Sequence, residues 1–455
     1  MRKLKNVTVL GAGTAGWISA YILSDFFSAN KLDIKVTIID PSSIPIIGVG
    51  EGTTGIFYDF LKRYNLDELD FLKETKATLK FGIVHKDWKQ LNHTYYGPID
   101  DPHLLATKTK PEDFEYLNVY AVAAGRSVAD VHLHTKLMQE NKVPFNFQNN
   151  KPDLKSPFFY AYHFDNHLVG NYLRKRSKNI EILDEVYTHA SLNEDGEIEK
   201  LHFESGKEKK SDLIIIANGI KSELRSYVDK SANPKYAGYV GWRGVVNENQ
   251  LSAKSLETLS NYFIVVLPYN QQIASYPIAG EGEDPFTKGN RRINWIWYKP
   301  ASDGALKSLL LGKSGKQYID GIPPDEIRTD IVQALYEEAN SKLPPQLKEL
   351  VEMTAQPLIQ PIFDLESQKM RNNRIVTIGD AAFTARPHVG MGVTKAADND
   401  TQPRLREHLP HSRSMAPSPF DVLLNAINIF LITTEIDLIP QLSVCHINIS
   451  GFQRL

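Results

Sequence analysis

The chain holds one cysteine in 455 residues. That excludes a disulfide framework and a cysteine-ligated zinc site, and points to a reducing compartment, the cytoplasm. Charge of one sign is not in excess either: 52 basic against 54 acidic residues leave a formal −2. A general nucleic-acid binder would show a basic surplus, so no nucleic-acid partner is expected. Long apolar runs are also lacking. The most apolar late stretch, Val422 to Thr434, meets Glu435 and Asp437 before the roughly 20 residues that a bilayer requires, so no membrane partner is expected. No internal repeat is evident. What is present is a globular composition, 42% hydrophobic and 23% charged, in a chain long enough for two or three domains.

The first residues, MRKLKN before an apolar run, have the outline of a signal peptide, but the glycines that follow fit a nucleotide loop better. Val7 to Leu10 is a short β-branched run ending in Gly11-Ala12-Gly13-Thr14-Ala15-Gly16. A helix-like stretch follows, Trp17 to Phe27, then a second apolar run, Val36 to Ile39, ending at Asp40. Gly11 allows a tight turn, Gly13 lets backbone approach a pyrophosphate, and Gly16 lets helix pack on strand. The helix start offers N–H groups to the phosphates, and Asp40 is placed to accept from a ribose hydroxyl. On this motif alone the dinucleotide is NAD or FAD.

A second cofactor contact lies far along the chain. Arg374 to Ile378 reads as a strand, followed by Gly379-Asp380-Ala381-Ala382-Phe383, then Arg386 to Gly392 and a helix-like Val393 to Asp398. A carboxylate at a strand end, Asp380, can take a hydrogen bond from a polyol chain. A turn at Gly390 and Gly392 lets a helix start aim its positive end at a flavin ring. NAD has no ribityl chain and would not need this second acid. A plain strand–turn–helix is the alternative. Between the two contacts, Leu213 to Ala217 reads as a buried parallel strand running into Asn218-Gly219, Ser222 and Arg225, a pattern that resembles the strand–(D/N)–G–x–x–S–x–x–R element of FAD monooxygenases.

At this point the chain resembles flavin-dependent oxidoreductases of two kinds. Residues 1 to about 230 resemble flavin-dependent halogenases of the tryptophan-halogenase type, through GAGTAGW (Gly11–Trp17), IPIIGVGEGTT (Ile44–Thr54), KATLKFGI (Lys76–Ile83) with Trp88, and AYHFDNHLV (Ala161–Val169). Residues about 235 to 398 resemble single-component FAD aromatic hydroxylases of the dihydroxypyridine-hydroxylase type, through YAGYVGWRGVV (Tyr236–Val246), SYPIAG (Ser275–Gly280), INWIWYKP (Ile293–Pro300), LIQPIFDLES (Leu358–Ser367) and GDAAFTARPHVGMGVTKAA (Gly379–Ala397). Their aromatic and β-branched residues suggest a mostly antiparallel substrate sheet.

The resemblance implies an α/β architecture: an FAD-binding Rossmann-type (glutathione-reductase-like / FAD monooxygenase) fold with an antiparallel-sheet substrate domain and a C-terminal tail. Residues 1–230 would be the FAD-binding domain, 231–370 the substrate sheet, 371–398 the return to the FAD-binding domain, and 399–455 an atypical tail. It also implies that Gly11, Gly13, Thr14, Ala15, Gly16, Asp40, the turn Gly48, Val49, Gly50 and Glu51, then Gly379, Asp380, Pro387, Gly390, Met391 and Gly392 hold the cofactor.

The catalytic lysine of halogenases falls on Lys80. The family's W-x-W-x-I-P motif is met by Trp295, Trp297 and Pro300, with Lys299 in place of isoleucine. Its P-L-E-S-T-G stretch is Pro387-His388-Val389-Gly390-Met391-Gly392 here, so Val389 replaces the glutamate and Met391 the halide-binding threonine.

Both families begin from reduced FAD and oxygen, through a flavin C4a-hydroperoxide. In a halogenase, halide attacks it, and the hypohalous acid is directed by lysine at an electron-rich aromatic carbon. In a hydroxylase, a small aromatic substrate attacks it directly, and NAD(P)H is bound in cis. The first reading expects a halide ion and a separate flavin reductase. A non-catalytic or disrupted flavoprotein is the third reading. Lys80 suits hypohalous chemistry, since an ammonium on a flexible stem donates to the oxidant's oxygen, or attacks halogen when neutral. Spacing alone makes it one of a basic face with Lys73, Lys76 and Lys86.

His163, Asp165 and His167 read as the start of a helix capped by Asp165 rather than as a metal cluster. Trp295 and Trp297 alternate on a strand and so face one side, either packing a core or walling the substrate. Arg243 contacts flavin or substrate, or forms a structural ion pair. Glu281 to Asn290 reads as a hairpin connection, and Asp303 to Lys316, rich in Gly and Ser, as a mobile stretch. Pro324 to Leu343 has helical spacing, bounded by Pro344 and Pro345. After Asp398, Pro403, Pro410, Pro417 and Pro419 break the expected helix, and Phe420 to Leu455 matches neither family.

Overall fold

The structure, a computed structural model, describes residues 4–44, 51–53, 55–86, 90–99, 119–127, 130, 133–143, 145–148, 151–153, 160–177, 179–194, 198–282, 284–384 and 386–387. The expectations for Gly48, Val49, Gly50, Gly390, Met391, Gly392 and the tail lie outside these residues, and Glu51 is described in its backbone alone.

The β-branched run at the start forms β1 (Asn6–Leu10), the glycine loop leads into α1 (Thr14–Ala29), and the chain returns in β2 (Lys35–Ile39). These strands belong to a six-stranded sheet ordered Ile180–Leu183, β2, β1, Leu213–Ile216, Ile375–Thr377, Arg371–Asn372. The first five are parallel, and the last pairs antiparallel. Each central strand is apolar on both faces because each face has its own core. Val7, Val9, Ile38, Leu213, Ile215 and Val376 join a cluster with α1 and the helix Asn166–Arg176. Leu10, Ile39, Ile214, Ile216 and Ile375 join a second cluster with Ile198, Leu201 and Phe203 of a three-stranded meander. Covering both faces makes the strands continuous hydrophobic runs rather than alternating ones.

The second large sheet is antiparallel throughout, in the order Ile264–Val266, Gln272–Ile278, Arg292–Pro300, Lys235–Asn247, Leu358–Glu366, Phe383–Thr384. Alternate residues face opposite ways, with both faces buried in mid-strand. Val240, Trp242, Ile273, Ile293, Trp295 and Trp297 face one way and pack against helices. The chain then re-enters the parallel sheet at Ile375.

Asp303–Lys316 is ordered, contrary to the expectation of mobility. Ser302 caps a helix, Asp303–Leu309, by accepting from the Ala305 N–H at 3.3 Å. Leu310 is buried beneath the sheet, and Leu311 bridges to Gln317. The glycines and serines thus serve a cap and a turn, as Gly315 with φ +79° shows. Pro344 and Pro345 end the helix Thr329–Lys342 as expected, but they also start the next, Pro345–Glu352, where a missing N–H costs nothing.

A small third sheet joins segments far apart in sequence: Glu51–Gly52, Ala161–Phe164 and Thr78–Lys80, all antiparallel. These are parts of three of the four segments quoted above for the halogenase resemblance. An aromatic cluster lies beneath them. Phe57, Phe71, Tyr160 and Tyr162 are fully buried, and Phe57 meets Phe164 at 4.9 Å. Such pairs are worth about 0.5–1.5 kcal/mol each beyond their buried area. Glu68 accepts from the hydroxyls of both Tyr160 and Tyr162 at 2.6 Å, which satisfies the cluster's polar edge. Among the described residues no helix is long and apolar enough to cross a membrane.

Candidate functional site

The two glycine turns meet. Gly11 has φ +106°, and a Cβ there would lie 2.6 Å from the Ala217 carbonyl; one on Gly16 would lie 1.9 Å from the Gly11 carbonyl. Both glycines are therefore required by close backbone approach. Gly13 faces open space. It precedes α1, whose first turn, begun by Thr14 and Ala15, has neither a side-chain cap nor an acidic residue. Its N–H groups are left for an anion. Gly379 has φ +57°, and a Cβ there would lie 2.7 Å from Cβ of Ala15, so the distant turn is pressed against the first. Exposed Asp380 follows it. Asp40 closes β2, its nearest described cation being Arg174 at 3.7 Å. Burial raises its carboxyl above the usual range, partly offset by Arg174. An open glycine, an uncapped helix start and an acid whose described ion pair is a long one fit a dinucleotide.

Arg225 fixes the second turn. It is buried, and its guanidinium donates to three carbonyls, Ala232 at 3.1 Å, Ala381 at 3.0 Å and Ile220 at 2.8 Å. The turn after Leu213–Ile216 is thereby tied to the turn carrying Asp380. Pro387, exposed, stands at the end of the described chain on this side, after Arg386, which forms a bidentate pair with Asp364 at 2.8 and 2.6 Å.

Lys80 ends the small sheet. It is largely buried rather than part of a basic face, and burial lowers its ammonium below the usual lysine range. Among the described residues no carboxylate pairs with it, and its Nζ makes one long contact, 3.5 Å, with the Thr53 carbonyl. His163 stands beside it. A Cβ on Gly52 would meet the His163 ring at 3.2 Å and the Lys80 Nζ at 3.7 Å, so imidazole and amine flank one glycine. Burial, then the Lys80 charge, push His163 down to about 4, which makes it neutral near pH 7. Asp165 caps the next helix by accepting from the His167 N–H at 2.9 Å, as expected. Among the described residues no group of three His, Cys, Asp or Glu side chains is arranged to hold a metal. The placement of His163 against Lys80 was not legible beforehand; its one signal was the AYHFD segment.

Two cavities adjoin the antiparallel sheet. One, about 640 Å³, is lined by Tyr239, Gln272 and Tyr298 and abuts Arg386. The other, about 580 Å³, is lined by His163, Phe263, Tyr276 and Phe286. Trp295 and Trp297 line neither. Both are 0% exposed and face the helices, with their indole N–H groups donating to Thr354 at 2.8 Å and Gln271 at 3.1 Å. Alternation sends Asn294, Ile296 and Tyr298 to the cavity side instead, so the packing alternative matches the tryptophans. Lys299, in the isoleucine position, pairs with Glu338. Arg243 lies on the cavity-side face; it donates to Gln360 at 3.1 Å, forms no ion pair among the described residues, and keeps a buried Nε without a partner.

With this geometry in hand, comparison with known proteins is direct. Residues 6–236 match the family profile described as tryptophan halogenase, and residues 236–364 the one described as FAD binding domain-like. The chain is 28% identical over 340 residues to a tryptophan 7-halogenase of Kutzneria sp. (strain 744), covering 70% of this chain and 55% of that protein. It is 27% identical over 211 residues to 2,6-dihydroxypyridine 3-monooxygenase of Paenarthrobacter nicotinovorans, covering 46% of this chain and 51% of that one. These alignments span about half the length of those relatives. A flavin-dependent halogenase from Xanthomonas campestris shares the fold, with a TM-score of 0.58 at 18% identity over 95% of this chain and 76% of that one. The boundary between the two profiles, residue 236, falls at the start of the long strand Lys235–Asn247.

Proposed function

The chain belongs to the tryptophan halogenase family, whose profile covers half of it, and from that premise we propose that it is an FAD-dependent oxidoreductase that halogenates an electron-rich arene, with Lys80 as the catalytic residue. The observation that carries this reading is the setting of Lys80: a desolvated amine, free of any described carboxylate, held on a sheet braced by an aromatic cluster. The glycine loop, Asp40, the Gly379-Asp380 turn and Pro387 would hold FAD, with residues 1–230 and 371–398 as its domain and 231–370 as the substrate sheet. When bound in reduced form, FAD passes electrons to oxygen and, with halide, supplies hypohalous acid; a separate flavin reductase would deliver it.

Lys80 then acts on the oxidant. In its ammonium form it donates an N–H to the oxygen of hypohalous acid, which leaves the halogen electron-poor. The arene carbon attacks halogen, the halogen–oxygen bond breaks, and water leaves once the ring has given up its proton. Burial favours this role, because a charge-assisted hydrogen bond is stronger out of water. The small sheet fixes the Lys80 backbone and so sets where its side chain can reach, the positioning that such a step requires.

The test supplies FAD, a flavin reductase, NADH, bromide and an electron-rich arene. We expect halogenated product, reduced at least about 100-fold in Lys80→Ala with FAD binding retained, the size of an acid catalyst's contribution. A second reading, direct hydroxylation, is favoured by the 640 Å³ cavity beside Arg386. It predicts halide-independent hydroxylated product and NAD(P)H oxidation without a reductase, and either result would transfer the assignment to it.

A further inference from the structure

The antiparallel sheet ends on an open edge. Its outermost strand, Ile264–Val266, pairs on one side with Gln272–Ile278, and among the described residues nothing pairs with its outer side. Alternate residues of such a strand turn N–H and C=O outward, a template for another strand. Proteins ordinarily guard an edge of this kind with a lysine, an inward-pointing charge or a bulge. None of these is found here. The register with Gln272–Ile278 runs without a shift, and from Thr258 to Gly280 the sequence carries no charged residue.

The residues flanking the strand are apolar and exposed: Tyr262 by 61%, Phe263 by 58%, Leu267 by 57% and Tyr269 by 97%. Alternation sorts them into faces. Ile264 and Val266 pack against the core beneath the helices, so Phe263, Val265 and Leu267 share the opposite face. Phe263 lines the 580 Å³ cavity and Leu267 the 640 Å³ one, so each end of the strand borders a cavity. A single exposed apolar side chain needs no explanation, but four along one uncharged edge mark an interaction surface.

A second copy of this chain is the occupant that matches. Under two-fold symmetry an edge meets itself, so it has to be complementary to itself. An antiparallel pair centred on Val265 sets that residue against the partner's Val265, Phe263 against the partner's Leu267, and Ile264 against the partner's Val266. In that register no charge meets a like charge, because the edge carries none. At ~200 Å² for a whole aromatic side chain, the exposed parts of the four flanking residues come to roughly 500 Å² a copy, or about 1,000 Å² for the pair. That is the lower limit of a specific interface, and a three-residue ladder adds few hydrogen bonds. An interface of this size gives a reversible dimer rather than an obligate one.

We propose that two copies of this chain associate edge to edge through Ile264–Val266, joining their antiparallel sheets across a two-fold axis at Val265. The inference is independent of the Lys80 reading.

Sedimentation equilibrium of the full chain loaded with FAD, at concentrations up to about 100 μM, tests it. The average mass is expected to rise from that of one chain toward that of two. Val265→Lys and Val265→Glu each set like charges face to face across the axis. Each is expected to weaken the dimer at least about tenfold, with FAD binding and the melting curve of the dilute protein retained. An equal mixture of the two is expected to dimerise again, since lysine then faces glutamate. Phe263→Ser, exposed and outside the strand, is expected to weaken the dimer about fivefold and tests the same edge if a charge disturbs folding. A chain that stays single at every concentration overturns the proposal and gives the edge to another occupant, the chain's own residues 399–455 or a different protein. A dimer unmoved by these variants places the interface elsewhere and overturns it too. Charged variants that fold and stay single even when mixed overturn the two-fold register at Val265.

Discussion

Two lysines in this molecule are both largely buried and differ in company. Lys299, 15% exposed in its side chain, sits on the antiparallel sheet, pairs with Glu338, and lies over the Trp297 ring at 4.8 Å. Glu338 is itself held by Lys342 at 2.8 Å and Gln271 at 2.8 Å. Burial works to raise the Glu338 carboxyl, but Lys299, Lys342 and Gln271 pull it down to about 2. Burial lowers the Lys299 ammonium too, and Glu338 offsets that only in part; Lys80, on the small sheet, is lowered by burial with no described carboxylate to offset it. Burial alone therefore does not distinguish a structural lysine from a reactive one; the partner does. A paired ammonium is held in one charge state, whereas an unpaired one is left able to donate to, or react with, what arrives.

The comparison can be broken by mutation. The largest effect is expected at the paired lysine: Glu338→Ala strands the Lys299 charge and should cost on the order of 3 kcal/mol in urea unfolding, with Glu338→Gln costing less. A loss below 1 kcal/mol would show that the pair carries no structural weight. The next effect belongs to His163. Its pKa is about 4 in the folded protein against 6.5 for the ordinary group, so the unfolded chain binds more protons between those values. Stability should therefore fall as pH drops from about 6.5 to 4 and level off below. After allowance for its partial exposure, the group's share is about 2 kcal/mol. Melting curves across that range should lose this slope in His163→Phe, and a slope that persists would assign it elsewhere. The smallest effect is at Lys80 and has the opposite sign to Glu338→Ala. Lys80 has its native pKa below 10.5, so its desolvation cost is present in full at pH 7 and relieved only as pH rises toward 10.5. Lys80→Met should gain about 1 kcal/mol at pH 7 while halogenation is lost. A destabilised Lys80→Met would mean that the amine has a stabilising partner after all.

Much of the fold was legible because its signals are local. The glycine loop between β-branched runs, the Asp40 that ends β2, and the Leu213 to Ala217 run all read correctly, since turn, helix start and buried strand each depend on neighbouring residues. Alternation placed Trp295 and Trp297 on one face, but that helices such as Thr329–Lys342 and Pro345–Glu352 cover that face is decided by tertiary packing, even though the first of these was legible as a helix from its spacing. Asp303 to Lys316 was misread because glycine and serine mark caps as well as loose chain. The site was the least legible part. Gly52, Lys80 and His163 meet through pairings that span 81 residues (Lys80 with Ala161) and 111 residues (Gly52 with His163), and no periodicity within any one segment encodes such a meeting. Family resemblance supplied Lys80; only the folded chain supplied its neighbour.

The long strand at the profile boundary has one practical consequence. Lys235 and Tyr236, where the antiparallel sheet begins, pair with Asp364 and Phe363, near where its last long strand ends. The points at which the chain first enters the antiparallel sheet and then leaves its last long strand are thus adjacent, like the two pins of a plug. Arg225 and the Ala381 carbonyl that it grips both lie outside those pins. A recombinant swap of everything between them, drawn from a halogenase or a hydroxylase donor, would need only two splices a few ångströms apart and would leave the Arg225 clamp in the recipient intact.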